Sequence, residues 1–324
     1  FMTIQRNVSL LNFNTFHIEA KASNFVEVSS EEEFVQLILS GQTAQNQLLI
    51  LGGGSNMLFT KDFEGLAIKN NIKGIQNIKE DDEHVFIKAS AGEVWHEFVM
   101  SCVDNDYGGI ENLSLIPGSV GASPMQNIGA YGVEVKDIFE SLEAFHIKTG
   151  EIHTFDNKSC EFGYRESVFK RKFKDQYIIT SVTYRLTKQH EINASYGAIE
   201  SELVRMEIDN PTIKDISNAV IAIRSSKLPD PSKIGNAGSF FKNPTVSASE
   251  AARLITENPG IPHYPVEGSS EVKFPAGWFI EKVGWKGYRK GDAGVHAKQA
   301  LVLVNYGEAT GGEILALSEE IKKS

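Results

Sequence analysis

Apolar residues recur along the chain with two periods, and these periods predict both strands and helices. A strand is predicted over 25–28, and a helix capped near Ser29 or Ser30 follows it. The apolar residues of this helix stand at helical spacing and comprise Phe34, Val35, Ile38 and Leu39.

The same patterns place the remaining elements. They predict strands over 83–89, 177–186 and 300–305, a hairpin of strands 141–147 and 151–155 around Thr149-Gly150, and helices over 94–103, 213–225, 248–257, 275–283 and 312–323. After the helix over 213–225, Pro229 and Pro231 stop regular structure, because proline fixes φ and lacks a backbone N–H. We expect a domain to begin at this point.

A glycine-rich loop follows the short apolar strand over 48–51. Its sequence is Gly52-Gly53-Gly54-Ser55-Asn56, and consecutive backbone N–H groups on such a loop form a concave anion site that suits a diphosphate. No Gly-Lys-Ser/Thr follows, and no Gly-x-Gly-x-x-Gly opens a helix, so this is neither a Walker loop nor the dinucleotide fingerprint.

A second small-residue segment spans 116–132. It is nearly uncharged and cannot supply much core of its own, so it must lie against something flat. The alternative, a flexible linker, fits poorly because Pro, Ile, Met and Tyr interrupt the segment.

A third segment, 235–244, places Ser239 between small residues and two phenylalanines. Glycines allow a tight bend, so we expect Ser239 to be displayed from a bend and not from a helix face. The alternative is an ordinary surface turn whose hydroxyl caps the next helix.

These segments, taken in order with Phe162-Gly163-Tyr164-Arg165-Glu166-Ser167, resemble the UDP-N-acetylenolpyruvoylglucosamine reductase family, in the subclass with a tyrosine lid. The resemblance runs from about Asn14 to the end of the chain. It implies an α+β fold: a two-lobed FAD-binding domain of the p-cresol methylhydroxylase/vanillyl-alcohol oxidase type plus a separate α+β substrate domain. We expect the FAD-binding domain over 1–190 with its lobes split near 71, a lid and linker over 191–226, and the substrate domain over 227–324.

The resemblance to this family also implies its cofactors, which are non-covalently bound FAD and, as co-substrate, NADPH. The resemblance further implies an oxidoreductase that acts on a CH–CH group in peptidoglycan precursor synthesis. The flavin-binding residues that the resemblance implies are Gly52, Gly53, Gly54, Ser55, Asn56, Pro117, Gly118, Gly121, Ala122, Asn127, Gly129, Ala130, Tyr131 and Gly132.

The resemblance also implies the catalytic residues. Arg165 would hold the enolate that forms when hydride reaches the substrate, and Ser239 would give the proton. The alternative for Arg165 is a surface ion pair with Glu161 or Glu166. The substrate-binding residues that the resemblance implies are Tyr164, Tyr196, Lys227, Asn243 and Gln299. For Tyr196, a structural tyrosine packed under a turn competes with the lid role. We read the basic run over 170–174 as a solvated loop.

Length, charge and composition exclude several classes of partner and predict the number of domains. A length of 324 residues predicts two or three domains. The net charge of −10 argues against nucleic acid, which needs a positive surface. The absence of an apolar run of eighteen residues and of a signal peptide's apolar region predicts no membrane insertion and a cytoplasmic location. Cys102 and Cys160 form no disulfide framework, and without Cys-x-x-Cys or clustered histidines we expect no metal.

One feature of the family has no match here. Its members continue into a short strand whose glutamate completes the active site, whereas this sequence ends at Ser324. Two other functions stay open at the level of sequence, and the unmatched glutamate bears on the second of them. One is another FAD-dependent sugar or alcohol oxidoreductase of the same superfamily, and the other is a catalytically impaired nucleotide-sugar binder.

Overall fold

The computed structural model describes residues 3–266 and 268–324, which form two compact units. The first unit contains the described residues up to Phe13, together with 21–54 and 62–226. The second contains 14–20, 55–61 and 227–324. Each unit has its own apolar core.

The first unit begins with a four-stranded sheet. Its elements are β1 (Gln5–Ser9), β2 (Lys21–Val28), α1 (Glu31–Leu39), α2 (Gln42–Gln45), β3 (Leu48–Leu51) and β4 (Phe63–Asn70). The strand order is β1-β2-β4-β3, and β4 runs parallel to both of its neighbours. The Ser30 side chain accepts from the Glu33 N–H, so the predicted cap of α1 is confirmed. Phe34 and Leu37 of α1 pack with Leu66 and Ile68 of β4.

A five-stranded antiparallel sheet follows in the same unit. In chain order the elements are β5 (Ile75–Glu80), β6 (His84–Ser90), α3 (Trp95–Asp104), β7 (Gly129–Ala130), β8 (Val133–Glu134), α4 (Val135–Ile138), β9 (Phe139–His146), β10 (Ile152–Asp156), α5 (Asn157–Cys160) and β11 (Tyr177–Thr187). The sheet order is β10-β9-β11-β6-β5, while β7 and β8 form a separate two-stranded ribbon. Trp95 and Phe98 of α3 pack against Tyr184 of β11 with ring centroids 5.7 and 5.0 Å away.

Two helices complete the first unit, α6 (Gly197–Arg205) and α7 (Ile213–Lys227), of which Lys227 belongs to the second unit. The apolar residues Ile216, Val220 and Ile223 of α7 are buried, and they pack with Ile199 and Leu203 of α6. The segment that we expected to be lid and linker is therefore largely helical and has a small core of its own.

The second unit contains two antiparallel sheets. Its elements are β12 (Gly235–Ser239), β13 (Thr245–Val246), α8 (Ala248–Glu257), β14 (Tyr264–Pro265), β15 (Val272–Lys273), α9 (Ala276–Lys282), β16 (Arg289–Lys290), β17 (Ala293–Val295), β18 (Val302–Asn305) and α10 (Gly311–Lys323). The strand orders are β12-β18-β17-β16 and β13-β15-β14. Ile314 and Leu317 of α10 pack with Val295 and Leu303 of the larger sheet.

Two short segments, 14–20 and 55–61, differ from the expected domain bounds because they lie in the second unit. Thr15 and Asn236 exchange hydrogen bonds, with the Thr15 hydroxyl 2.6 Å from the Asn236 carbonyl. The Asn305 side chain donates to the Phe16 carbonyl at 2.9 Å. These long-range hydrogen bonds have no local sequence pattern that would predict them.

The start of α10 offers a test of this packing. A Cβ at Gly311 would overlap the backbone carbonyl of Phe59, whereas a Cβ at Gly312 would meet nothing nearer than Thr310 Oγ1 at 3.8 Å. We expect Gly311→Ala to destabilise the protein by about 1–3 kcal/mol through overpacking. Gly312→Ala should be neutral or stabilising by up to about 1 kcal/mol, because alanine favours helix.

Thermal unfolding followed by circular dichroism compares the two variants directly. Equal melting temperatures would contradict the close approach of Gly311 to Phe59.

Candidate active site

The first unit contains a cavity of about 960 Å³, within the range of cofactor sites. One wall comes from β3 and the loop after it, including Gly52. Another wall comes from the small-residue segment, through Ser119, Gly121 and Ala122. The cavity therefore lies where two of the three predicted glycine-rich segments meet.

These two segments approach each other without room for side chains. A Cβ at Gly53 would lie 2.9 Å from Gly118 Cα. The small-residue segment also packs closely on the residue after β6, since a Cβ at Gly121 would lie 2.5 Å from Ala91 Cβ. A Cβ at Gly52 would overlap the Ser119 hydroxyl. Glycine is needed here so that backbone N–H groups can face a bound group closely.

The remaining wall is aromatic and basic. Phe169, Phe173 and Tyr177 line it and make edge contacts with one another or with Phe155. Lysines also line the cavity, namely Lys148, Lys170 and Lys174. The basic residues of 170–174 are exposed, as expected of a solvated loop, and the same loop also borders the cavity. The three rings stand four residues apart, a spacing that could have marked this wall in the sequence.

Arg165 lies against the glycine-rich turn and forms neither of the expected surface ion pairs. Its guanidinium donates to the carbonyls of Asn127 and Gly129 and lies 3.7 Å from a Glu134 carboxylate oxygen. Glu161 pairs with Arg171 instead. Arg165 has a φ of 54°, a conformation that costs a non-glycine residue about 1 kcal/mol or more. These contacts hold the guanidinium in one orientation against the surface of the loop.

Asn127 has a structural role in this loop. Its side chain is buried and bonds to Glu134, to the Gly163 carbonyl and to the Lys136 N–H. Tyr131 and Gly132 form the turn of the β7–β8 ribbon with positive φ angles. Of the predicted flavin residues from Asn127 to Gly132, Asn127 and Gly129 contact Arg165, and none of the stretch lines the large cavity.

Sequence reasoning missed a clamp around Leu115, whose φ of 58° is strained for a leucine. His96 Nδ1 accepts from the Leu115 N–H at 3.0 Å, and Arg224 donates to the Leu115 carbonyl at 3.2 Å. Burial lowers the pKa of both His96 and Arg224. Arg224 also bonds the Tyr131 hydroxyl. No carboxylate within the described ranges pairs with Arg224, so this cation is held by neutral groups alone.

The two tyrosines expected at the substrate lie in the first unit and are partly exposed. Tyr196 is 51% exposed and packs edge-on against Tyr131, with centroids 5.3 Å apart. The Tyr164 ring lies 5.3 Å from the Arg165 guanidinium carbon. The buried Asn112 side chain donates to the carbonyls of Tyr131 and Asn193. It thereby connects the turn at Tyr131 with the segment that leads to Tyr196.

Ser239 lies in the second unit at the end of β12. The expected bend is in fact a strand with an irregular register between Asn236 and Ser239, where Gly238 has a φ of 71°. Asn236 Oδ1 accepts from the Gly238 N–H at 3.0 Å and fixes this bulge. Ser239 is exposed, and its hydroxyl makes no hydrogen bond to residues 3–266 or 268–324. The hydroxyl is therefore available to a ligand.

The other expected substrate residues of the second unit are Lys227, Asn243 and Gln299. Lys227 is exposed at the end of α7. Asn243 Oδ1 accepts from the Ala276 N–H at the start of α9, and Gln299 Oε1 accepts from the Leu301 N–H. Each amide thus has a structural contact and keeps its NH₂ group for a further one.

The expected flavin residues are divided between the units. Gly52, Gly121 and Ala122 line the cavity, and Gly53 and the Pro117-Gly118 pair adjoin it. Ser55 and Asn56 belong to the second unit.

Neither cysteine thiol is a reactive nucleophile. Burial raises the pKa of Cys102 and of Cys160 to about 12. In the described part of the chain, no group of three His, Cys, Asp or Glu residues could hold a metal ion. No helix among the described residues is long and apolar enough to cross a membrane.

Comparisons with known proteins agree with this architecture. Residues 22–156 match the model of an FAD binding domain, and residues 230–324 match the C-terminal domain of UDP-N-acetylenolpyruvoylglucosamine reductase. The crystal structure of that reductase from Thermus caldophilus superposes with a TM-score of 0.71 at 23% identity, covering 100% of this chain and 96% of the other. The expected fold class is confirmed.

Curated relatives carry the same name. The UDP-N-acetylenolpyruvoylglucosamine reductase of Flavobacterium johnsoniae is 56% identical, and that of Amoebophilus asiaticus is 48% identical, each over 100% of this chain and 95% of the relative. The reductase of Pseudomonas fluorescens is 46% identical over 99% of this chain and 94% of its own length. This chain belongs to the UDP-N-acetylenolpyruvoylglucosamine reductase family of FAD-dependent oxidoreductases.

Proposed function

We propose that this protein uses NADPH and FAD to reduce the enolpyruvyl group of UDP-N-acetylenolpyruvoylglucosamine, giving UDP-N-acetylmuramate for peptidoglycan synthesis. The cavity of the first unit carries the proposal, because its glycine-rich walls and most of its other lining residues belong to the part of the chain that matches an FAD binding domain, while its aromatic wall over 169–179 follows that part. The reaction requires small anionic ligands and no nucleic acid, in keeping with a net charge of −10. We place it in the cytoplasm, where both co-substrates are found.

The cavity fits FAD in size and in chemistry. The glycine-rich walls offer backbone N–H donors for the diphosphate at Gly53 and Gly118, and the aromatic wall offers flat surfaces for a ring. No histidine or cysteine is among the described residues that line the cavity, so the flavin is held without a covalent bond. When bound, FAD supplies hydride transfer from NADPH to the substrate double bond.

Arg165 holds the substrate carboxylate in this proposal. Hydride addition to the terminal carbon leaves negative charge on the adjacent carbon and its carboxylate. A guanidinium has five N–H donors, and two of its nitrogens already bond to the carbonyls of Asn127 and Gly129. Its remaining donors can stabilise the developing enolate without reorientation, which is the condition for efficient electrostatic catalysis. The carbonyls of Asn127 and Gly129 thus keep a cation ready at this loop.

Ser239 donates the proton that completes the reduction. Its hydroxyl is exposed, free of hydrogen bonds to the described residues and fixed in place by the β12 bulge. A fixed donor of this kind suits general-acid catalysis, since geometry must be right before acidity matters.

The remaining contacts serve the nucleotide-sugar. Lys227 and Tyr196 bind its diphosphate, and both side chains are exposed. Tyr164, Asn243 and Gln299 contribute polar contacts through the hydroxyl and the free NH₂ groups.

Spectroscopy tests the function as a whole. The purified protein should be yellow, and acid precipitation should release its FAD into the supernatant. Anaerobic NADPH should bleach the flavin absorbance, and the UDP-sugar should restore it. Flavin that stays in the pellet would contradict non-covalent binding, and bleaching without reoxidation by this substrate would point to a different oxidoreductase.

Ser239→Ala should separate the two half-reactions. Flavin reduction by NADPH needs no proton from Ser239 and should keep its rate, whereas reoxidation by substrate should slow by roughly 10²-fold or more. Ser249→Ala, at an exposed serine of α8 in the same unit, is the matched control and should change neither rate. Stopped-flow absorbance measures both steps, and equal slowing of both by Ser239→Ala would refute the assignment.

Gly53→Ala should weaken FAD binding by roughly tenfold, because the new Cβ would push the loop away from Gly118. Gly197→Ala is the control, since its Cβ would meet nothing within 4 Å. The flavin absorbance that remains after desalting and the melting temperature of the apoprotein are measured for both. Full flavin retention in Gly53→Ala would show that the cavity is not the FAD site.

A further inference from the structure

Lys69 lies directly behind the first glycine-rich loop. It stands on β4 opposite Leu51, the last residue of β3, and its ammonium donates to the Gly52 carbonyl at 2.6 Å. The side chain is partly buried and does not line the large cavity. Lys69 therefore contacts the loop at a carbonyl without being part of the cavity wall that Gly52 forms.

Lys69 has no ion-pair partner. Within residues 3–266 and 268–324, no carboxylate oxygen lies within 4 Å of its ammonium, and Glu27, its neighbour on β2, accepts from Asn71 instead. Burial lowers the pKa of Lys69. Glu27 attracts Lys69 electrostatically and opposes part of this shift of the pKa, but it forms no ion pair with the ammonium. By contrast, Lys73 is exposed and pairs with Glu93 at 3.4 Å. A cation withdrawn from water without a paired anion is costly, unless an anion completes its surroundings.

The hydrogen bond also fixes a peptide plane. In a trans peptide the carbonyl and the following N–H point in opposite directions. Because the Gly52 carbonyl points to Lys69, the Gly53 N–H points away from Lys69. This N–H makes no hydrogen bond to any described residue. The lysine thus holds a free backbone donor in one orientation.

We propose that Lys69 is a positioning residue for the diphosphate of the dinucleotide cofactor: it locks the Gly52–Gly53 peptide with its N–H presented to the anion and adds a positive charge behind the loop. The inference rests on the proposed use of FAD. The charge acts through the partly buried loop, where electrostatic attraction is screened less than at the surface.

Three variants test the proposal in the full chain, stripped of flavin and titrated with FAD by fluorescence. Lys69→Met keeps the length and removes the charge and the donor, and it should weaken FAD binding by roughly tenfold or more. Lys69→Arg should recover most of the affinity. Lys73→Met removes a nearby exposed charge and should stay within about twofold of wild type.

Two further readouts separate positioning from folding. The melting temperature of the Lys69→Met apoprotein should match that of wild type. At saturating FAD, the ³¹P resonances of the diphosphate should shift in Lys69→Met and stay in place in Lys73→Met.

The outcomes are distinct. FAD affinity within twofold of wild type in Lys69→Met, with unchanged ³¹P resonances, would overturn the inference. So would a loss of affinity that Lys69→Arg does not recover and that a lowered melting temperature accompanies. If wild-type apoprotein itself fails to bind FAD, the proposed function is wrong and the inference falls with it.

Discussion

The backbone of the loop after β3 runs so close to that of the small-residue segment that a single Cβ at Gly53 would come within 2.9 Å of Gly118 Cα. The small-residue segment is itself attached to the second sheet by backbone hydrogen bonds, such as that from the Gly121 N–H to the Ala91 carbonyl at 3.0 Å. Ser123 adds a bond to the buried Tyr184 hydroxyl at 2.7 Å. The cavity wall is therefore as rigid as the sheet beneath it, although it contributes few apolar side chains of its own.

Backbone strain accumulates in and next to the small-residue segment and at Arg165, at residues that do not line the cavity, and tertiary contacts stabilise it. Leu115, Asn127, Tyr131 and Arg165 all have positive φ angles, each at a cost of about 1 kcal/mol or more. Such conformations persist where the surroundings over-determine them. His96 and Arg224 do so for Leu115, and the buried Asn127 side chain bonds to three partners of its own. The loops of the site thus owe their shape to the elements on which they rest, and local propensity contributes little.

This division explains what the sequence could predict. The amphipathic helices α1, α7, α8 and α10 carry their own period and caps, and their predicted bounds agree with the structure to within two residues. Strands of two or three residues such as β16 have no period to detect. Ser239 looked like part of a bend because its pairing with Val302 depends on a strand sixty residues away.

The site divides in the same way. Runs of glycine predict a loop that a ligand can approach closely. The two glycine-rich walls of the cavity could therefore be predicted from the sequence. Lys69 and Arg224 carried no such signal. Each lies on an ordinary strand or helix, and its role depends on the distant carbonyl to which it donates. Lys69 donates to the Gly52 carbonyl, and Arg224 donates to the Leu115 carbonyl. A lysine or arginine without a carboxylate is visible only when its neighbours in space are known.

The position of the lysines explains how a protein with a negative net charge can bind anionic ligands. The chain has a net charge of −10, yet Lys148, Lys170 and Lys174 line the cavity, and Asp175 is the one acidic residue among its described lining residues. Lys69 adds a further positive charge behind the loop. Charges gathered around a cleft with low-dielectric walls attract a ligand more strongly than the same charges spread over a surface. The negative charges elsewhere do not cancel this attraction, because salt screens exposed charges beyond about 8 Å at physiological ionic strength. The local excess of lysine, and not the overall balance, therefore decides which ligands the cavity accepts.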